Sequence, residues 1–584
     1  MKAYCKEGKI VAEGRGYESA AFELGNRKIS VTADGRGGLS AYRVTNRGGN
    51  LLSSLLSLDL SFGGDPLSPY LEKKVEMIGR MQKITFQTDG DDLTVTTFLT
   101  EEVNGVFFLL SCPTPFALSL NSRDAKSATR NSVTFVEGNN FMLSSSVAGD
   151  WVEENSCFYA GETNEVRLLL TFDGEKQEHL AAFRDFSGAL NAAQEEIAAV
   201  RIPSSVHTEE EKALYLSAYF TALQNYKTCG DFRAFAAGIR YTDPLRTYFR
   251  DSYYTVLPML TEHPEFVRNE ILTLARGINE EGACPSAVKS DFTAFWGDHY
   301  DSPSFFVIQL YDYLTATGDA SILDETISGE PLLRIVQKVL ARLKGKTDET
   351  GLLYKEGSFN KRDWADEVNR NGYVTFVEAL YYRALVAASR LFEKSDPKQA
   401  SLYQADAEKV KQAINSLLFD EELGYYVNYK SSAGVEKNLS LDTLFTLLFG
   451  VADEDKAKRV LDNVERLCES KNNPDLGGED FGVACAFPPY GLPRATCHKS
   501  SRPYDYHNGA NWCYLTAIYA YAKALYGRDW RTPLLSTFRY LLDHGHYTLL
   551  EYFSPACPEG SPLQAWSAAI AFVYQKAENE NFFK

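Results

Sequence analysis

The rhythm of the chain changes once, near residue 205, and that change limits the folds open to it. Residues 1 to about 170 hold short β-branched and aromatic runs, such as Lys28-Ile29-Ser30-Val31-Thr32 and Leu93-Thr94-Val95-Thr96-Thr97-Phe98-Leu99. Asp34-Gly35, Asp89-Gly90 and Asn104-Gly105 separate such runs, and these pairs favour the positive-φ turns of hairpins. Many short strands between turn signals predict an antiparallel β-sandwich over 1–174. Residues 175–205 turn to Ala, Glu and Gln and read as a helical linker.

From Thr208 the period is helical. Thr208 and Glu211 have the spacing of a capping box, opening a helix that runs to about Tyr226. Further helices are predicted near 251–262, 265–279, 304–318, 330–345, 373–394, 396–418, 440–450, 453–469, 508–526, 531–545 and 563–578. Twelve helices joined alternately by short and long loops are what six helical hairpins closed into a toroid require. That is an (α/α)6 barrel, spanning 206–584. No fixed-period repeat supports a helical solenoid instead.

Composition narrows the function. A chain of 584 residues with 44% hydrophobic and 24% charged residues is an ordinary globular protein of several domains. Its formal charge of −18 disfavours nucleic acid and anionic membranes, which attract cationic surfaces. No apolar run is long enough to span a bilayer or to open the chain as a secretory leader. Ten cysteines without paired spacing predict reduced thiols and a cytoplasmic protein, with neither a disulfide framework nor a zinc site. Neutral sugars fit this profile, and an aromatic share of 13% can furnish their binding walls. A homo-oligomer is compatible with everything above.

Two distant segments carry carboxylates among aromatic and amide residues: Asp363-Trp364-Ala365-Asp366-Glu367-Val368-Asn369, and Glu551-Tyr552-Phe553-Ser554-Pro555 leading to Gln564-Ala565-Trp566-Ser567. Glycosidic cleavage needs two carboxyl groups flanking a sugar, one to protonate the leaving oxygen and one to activate water. Asp366 is the candidate acid, because Trp364 and the apolar helix after it can desolvate a carboxyl and keep it protonated. Glu367 beside it can hold a sugar hydroxyl. The bland alternative is a pair of acidic residues at the positive end of the next helix. Glu551 is the candidate base, in a loop that Pro555 keeps from becoming helix; a surface glutamate before a turn is the alternative.

Arg250-Asp251 at a helix start can grip adjacent sugar hydroxyls or form a structural ion pair. Asp301 reads as a helix cap or a substrate ligand, and Trp296 stands in the loop before it. Tyr506-His507-Asn508-Gly509 with Trp512 combines hydrogen-bonding groups and a stacking ring; His507 alone reads as a satisfied histidine that fixes loops. Asp543-His544-Gly545-His546 lacks a third segment and reads as a polar helix end rather than a metal site. No phosphate-binding loop, dinucleotide fingerprint or nucleophile elbow is present.

In order along the chain, these segments resemble the (α/α)6-barrel glycosidases: the amylo-α-1,6-glucosidase domain of glycogen debranching enzymes, glucoamylases and family sixty-three glucosidases. Phe249-Arg250-Asp251 is similar to the family's Gly-Arg-Asp, which implies that Arg250 and Asp251 hold the terminal sugar. Trp364-Ala365-Asp366 resembles Trp-Met-Asp, and Asp366-Glu367-Val368-Asn369 resembles the glucoamylase Glu-Glu-Val-Asn. Both comparisons place the acid at Asp366. Tyr506-His507-Asn508-Gly509 with Trp512 is similar to the debranching Tyr-His-Asn-Gly, although Cys513-Tyr514 replaces Pro-Trp. Glu551 through Trp566-Ser567 resembles the family sixty-three pattern whose glutamate is the base.

The resemblance implies an inverting exo-glycosidase, in first place an α-glucosidase on a short oligosaccharide. Arg250, Asp251, Trp296, Asp301, Trp364, Glu367, Tyr506, His507, Asn508, Trp512 and Trp566 would bind the substrate. Such chemistry needs no cofactor, and relatives that hold a structural calcium ion leave room for one. The rivals are a phosphorylase, an α-rhamnosidase or mannosidase on the same fold, and a non-catalytic oligosaccharide-binding protein.

Overall fold

The structure is a computed structural model, and it describes residues 1–15, 21–45, 51–62, 65–66, 71–88, 90–121, 125–130, 134–138, 141–147, 149–152, 157–172, 174–356, 363–556 and 559–578. The Asp89-Gly90 turn therefore lies partly outside the described residues. Two compact units divide the chain: residues 1–231, 238–245 and 541–549 in one, and 232–237, 246–540 and 550–584 in the other.

The first unit is β-rich. Among the described residues sixteen strands join one hydrogen-bonded sheet, and every pairing given is antiparallel. Strand Glu72–Ile78 alternates, with Lys73, Val75 and Met77 turned inward, as a strand with one covered face must. The two facing sheets expected of a sandwich are not separate in hydrogen bonding. Strand Gly105–Asn121 pairs with Leu93–Phe98 along its first half and with Leu51–Phe62 along its second. Its register against Cys157–Phe172 shifts between Ser111 and Leu118, the kind of irregularity that bends a strand. Helices α1 (Lys176–Arg184) and α2 (Phe186–Ala199) occupy the stretch expected as a linker. They pack on this sheet: Phe183 and Phe186 share a core cluster with Phe98, Phe107 and Leu169. Helix α3 (Glu209–Asn225) begins with the predicted capping box, Thr208 Oγ1 accepting from the Glu211 amide and Glu211 accepting from the Thr208 amide.

The rest of the chain is helical, with short two- and three-stranded ribbons between helices. The helices are α4 (Phe249–Val256), α5 (Pro264–Arg276), α6 (Ser302–Thr317), α7 (Leu332–Lys344), α8 (Thr375–Leu391), α9 (Pro397–Leu417), α10 (Phe445–Leu448), α11 (Glu454–Leu467), α12 (Cys513–Leu525), α13 (Arg531–Asp543) and α14 (Ala569–Ala577). With α3, each of the twelve segments predicted from periodicity contains a helix, although the segment predicted over 440–450 holds only the four residues of α10 after a 3-10 turn. Two classes are visible in the sequence. Helix α7 buries Leu332, Ile335, Val336, Val339, Leu340 and Leu343, and α11 buries Ala457, Val460, Leu461 and Val464, each a single stripe at helical spacing. Helices α8 and α12 bury residues nearly all round, which a helix does only when other elements surround it. Within the second unit α4 packs on α6, α6 on α8, α8 on α10, α10 on α12, α12 on α14, and α14 on α4. Among the described residues no helix is long and apolar enough to cross a membrane.

Candidate active site

Five of the six helices of that cycle begin with, or follow, a segment carrying one of the sequence-predicted groups. Arg250 and Asp251 open α4, Asp301 precedes α6, and the Asp363–Asn369 segment lies ahead of α8. Tyr506–Asn508 and Trp512 lead into α12, and Glu551 through Trp566 leads into α14. The segment before α10 contributes Asp442, in the short 3-10 turn Leu441–Leu444. Because α8 starts only at Thr375, Asp366 and Glu367 do not decorate a helix end, and the bland alternative for them fails.

Arg250 is the electrostatic centre. Its Nη1 donates to Asp301 Oδ2 at 2.8 Å, and its Nε lies 3.7 Å from Asp251 Oδ2. Asp301 holds the cap position of α6 but makes no side-chain cap bond; it serves the arginine instead. Against its burial, the charges of Asp301 and Asp251 raise the Arg250 pKa further, so the guanidinium stays charged. Asp251 is pushed up to about 7 by burial, with Arg250 opposing and Glu551 and Asp301 adding to the rise. Asp366 also rises to about 7. Burial is the main cause, Arg250 opposes it, and the charges of Glu367, Glu551 and Asp363 add to it. Glu551 is buried and accepts from the Ser561 amide through Oε2 at 3.1 Å. A surface glutamate is thus excluded, and its charge is felt at both Asp251 and Asp366.

A buried ionic chain, which sequence reasoning missed, supports the Asp366 segment. Asp363 accepts from Lys355 Nζ and Arg370 Nη2, each at 2.6 Å, and from the Ala365 amide at 2.9 Å. Burial notwithstanding, those two cations hold the Asp363 carboxyl well below the usual range. Arg370 also donates to Asp442, whose Oδ2 accepts from Trp364 Nε1 at 2.6 Å. Lys355, Arg370 and Asp442 stand in no recognisable motif; the only sequence signal was the acidic Asp363 itself.

The tryptophans expected as sugar walls pack on one another. Trp364 meets His507 and Trp512 edge-on at 4.9 and 5.4 Å, while Trp512 stacks parallel on His507 at 4.9 Å and meets Trp566 at 5.6 Å. Trp364, Trp512 and Trp566 are all buried. Trp296 is the exposed member, its ring parallel to that of His299 at 6.5 Å. Tyr506 stands edge-on to Tyr552 at 4.7 Å. Asn508 ties loops together, donating to Ser500 O and accepting from the Tyr490 amide. Glu367 accepts from the Lys499 amide at 2.7 Å.

The bland reading of His507, a satisfied histidine, does not fit its Nδ1. Its Nδ1 has no hydrogen-bond partner among the described residues and lies 3.9 Å from Asp366 Oδ1. Burial and the charge of Arg370 press its pKa far down, so the ring is neutral. Further buried polar atoms lack such partners among the described residues: Asp366 Oδ1, Asp301 Oδ1, Arg250 Nε, Tyr514 Oη, Gln564 Oε1 and Nε2, and Trp566 Nε1. Each orphan costs about 1–3 kcal/mol, and the group holds both donors and acceptors. Among the described residues no group of three or more His, Cys, Asp or Glu is placed to hold a metal ion.

Comparison with known proteins follows the same line. Residues 233–572 match the sequence model of the amylo-alpha-1,6-glucosidase family. A bacterial glucoamylase solved as a complex with acarbose has this fold over 98% of this chain and 98% of its own, with a TM-score of 0.65 at 14% identity. A rhamnosidase from Klebsiella oxytoca with rhamnose bound covers 88% of this chain and 95% of its own, with a TM-score of 0.48 at 15% identity. A search of curated proteins by sequence gives no match. The family match spans more than half of the chain, and the chain belongs to the amylo-alpha-1,6-glucosidase family of glycoside hydrolases.

Proposed function

We propose that this enzyme is an inverting exo-glycosidase, acting in first place on an α-glucoside of short length, with its catalytic unit built as an (α/α)6 barrel. The closed order of contacts α4-α6-α8-α10-α12-α14 supports the barrel. One observation carries the mechanism: Asp366, a carboxyl raised to about 7 with a buried oxygen that no described residue bonds. A carboxyl in that state is protonated near neutrality and can donate its proton to a glycosidic oxygen. Glu551 is the base that takes the proton of the attacking water, and its charge reaches Asp366. Arg250, Asp251 and Asp301 grip the hydroxyls of the terminal sugar. Neutral His507, 3.9 Å from Asp366, can orient the acid or a hydroxyl beside it. In inversion one water adds and one sugar leaves, so no cofactor enters the balance; the two carboxyl groups must stand roughly 6.5–9.5 Å apart to admit the water.

The glucoamylase that shares the fold was solved with acarbose, and the rhamnosidase with rhamnose; the choice of a glucoside rests on the first. A panel of aryl α-glucosides, α-rhamnosides and α-mannosides tests it, assayed with wild type, Asp366→Asn and Glu551→Gln. The expected result is turnover of the glucoside and a loss of at least about 100-fold in each variant, the low end of what a positioned acid or base supplies. Undiminished activity in either variant removes that residue from the mechanism, and turnover of rhamnoside alone reassigns the sugar.

A further inference from the structure

The loop from Tyr490 to Asn508 joins the acid-bearing and base-bearing segments and carries cations the proposed chemistry does not use. Its backbone is firmly held. The Leu492 amide donates to Glu436 at 2.9 Å, and the Asn369 amide donates to Ala495 O at 2.6 Å. The Cys497 amide donates to Glu367 O and the Lys499 amide to Glu367 Oε2, while Ser554 Oγ donates to Tyr504 O. Arg494, His498, Tyr504 and Tyr506 all take left-handed φ values, from 46° to 64°. Non-glycine residues persist there only where their surroundings impose it. This loop is built into one shape.

Arg494, Lys499 and Arg502 lie exposed on it. Among the described residues none has a carboxylate within ion-pairing distance, although the chain carries 78 acidic residues against 60 basic ones. The Lys499 ammonium stands 5.0 Å from the Tyr506 ring centre and 5.7 Å from that of Tyr552. Tyr552 adjoins Glu551, and the Lys499 amide bonds the neighbour of Asp366. The charge also reaches buried His507. By contrast, Arg250, Asp251 and Asp301, which grip the terminal sugar, are all buried. Lys499 is thus an exposed cation beside the segments that carry Asp366 and Glu551.

We infer that Lys499, with Arg494 and Arg502 on the same rigid loop, forms a subsite for an anionic group, carboxylate or phosphate, on the leaving portion of the substrate. This rests on the glycosidase reading above. Neutral glycans need hydrogen bonds and ring stacking rather than cations; an acidic leaving portion supplies the countercharge that these three side chains lack among the described residues.

The test uses the sugar that the glycoside panel identifies, joined to 4-carbamoylphenyl, 4-carboxyphenyl or 4-phosphonophenyl groups. The amide and carboxylate match in shape and differ in charge. Comparing wild type with Lys499→Gln and with the Arg494→Gln/Arg502→Gln double variant cancels the intrinsic reactivity of each substrate. Lys499→Gln is expected to lose about five-fold more kcat/KM on the carboxylate than on the amide, the size of a partly exposed charge pair. The wild-type advantage should shrink in 1 M NaCl, where the Debye length falls to about 3 Å. A larger loss on the phosphonate than on the carboxylate assigns the site to phosphate, and the reverse assigns it to a carboxylate. Equal losses on all three substrates overturn the inference while leaving the glycosidase reading intact. If wild type cleaves none of the panel glycosides, that reading falls, and this inference falls with it.

Discussion

Asp366→Asn should make the protein more stable while disabling it, and the gain should grow with pH. The folded-state pKa of Asp366 is raised to about 7 from an ordinary 3.8. Between those values the folded protein keeps a proton that the unfolded chain has released, so stability falls as pH rises through that window. At about 1.36 kcal/mol per pH unit, the full penalty is about 4 kcal/mol, reached near pH 8. At pH 5 the unfolded carboxyl is largely ionised and the folded one still protonated, and the penalty is about 2 kcal/mol. Asparagine removes it at every pH. For a helical unit of this size, about 1 kcal/mol moves the midpoint of thermal unfolding by roughly 1–2 °C. Differential scanning calorimetry should therefore show the variant ahead of wild type by about 5 °C at pH 8 and about 2 °C at pH 5. A gain that is the same at both pH values would refute the reasoning. So would a variant less stable than wild type at pH 8, because the carboxyl would then have been ionised at no cost.

Two further predictions follow from the same electrostatics. Glu367 is among the charges that raise Asp366, so Glu367→Gln should shift the alkaline limb of the kcat/KM profile to lower pH by a few tenths of a unit; a shift upward contradicts the assignment. Asp442 receives both Arg370 and the Trp364 indole, so Asp442→Ala leaves a buried guanidinium half-paired. It should cost about 3–5 kcal/mol in urea unfolding and should lower kcat more than it raises KM, because the Trp364-Ala365-Asp366 turn loses its anchor. A loss under 1 kcal/mol would show the ionic chain to be expendable.

Local signals in the sequence carried most of the helical architecture. The Thr208-Glu211 box, the periodic stripes of α7 and α11 and the segments at the start of five of the six cycle helices can all be read within one window of residues. Asp366, Glu551 and the Arg250-Asp251 pair were legible because unlike residue types crowd into short segments. Long-range pairing was not. Asp442 lies 72 residues from Arg370 and 78 from Trp364, and nothing near it marks it as part of the site. Strand Gly105–Asn121 reads as an ordinary apolar run, and only its two partners reveal that it ties the sheet together. How the tryptophans pack was not legible for a physical reason: the same flat ring that stacks on a sugar also packs against another ring, and the sequence does not say which face is open.

The most direct test of the central claim is the anomer released first. Proton NMR of the reaction on an α-glucoside, begun with enough enzyme to outrun mutarotation, should show β-glucose appearing before α. That is the outcome of one displacement, with Asp366 giving its proton and Glu551 activating the water. If α-glucose appears first, configuration is retained, and a water-activating Glu551 opposite Asp366 is the wrong chemistry for this site.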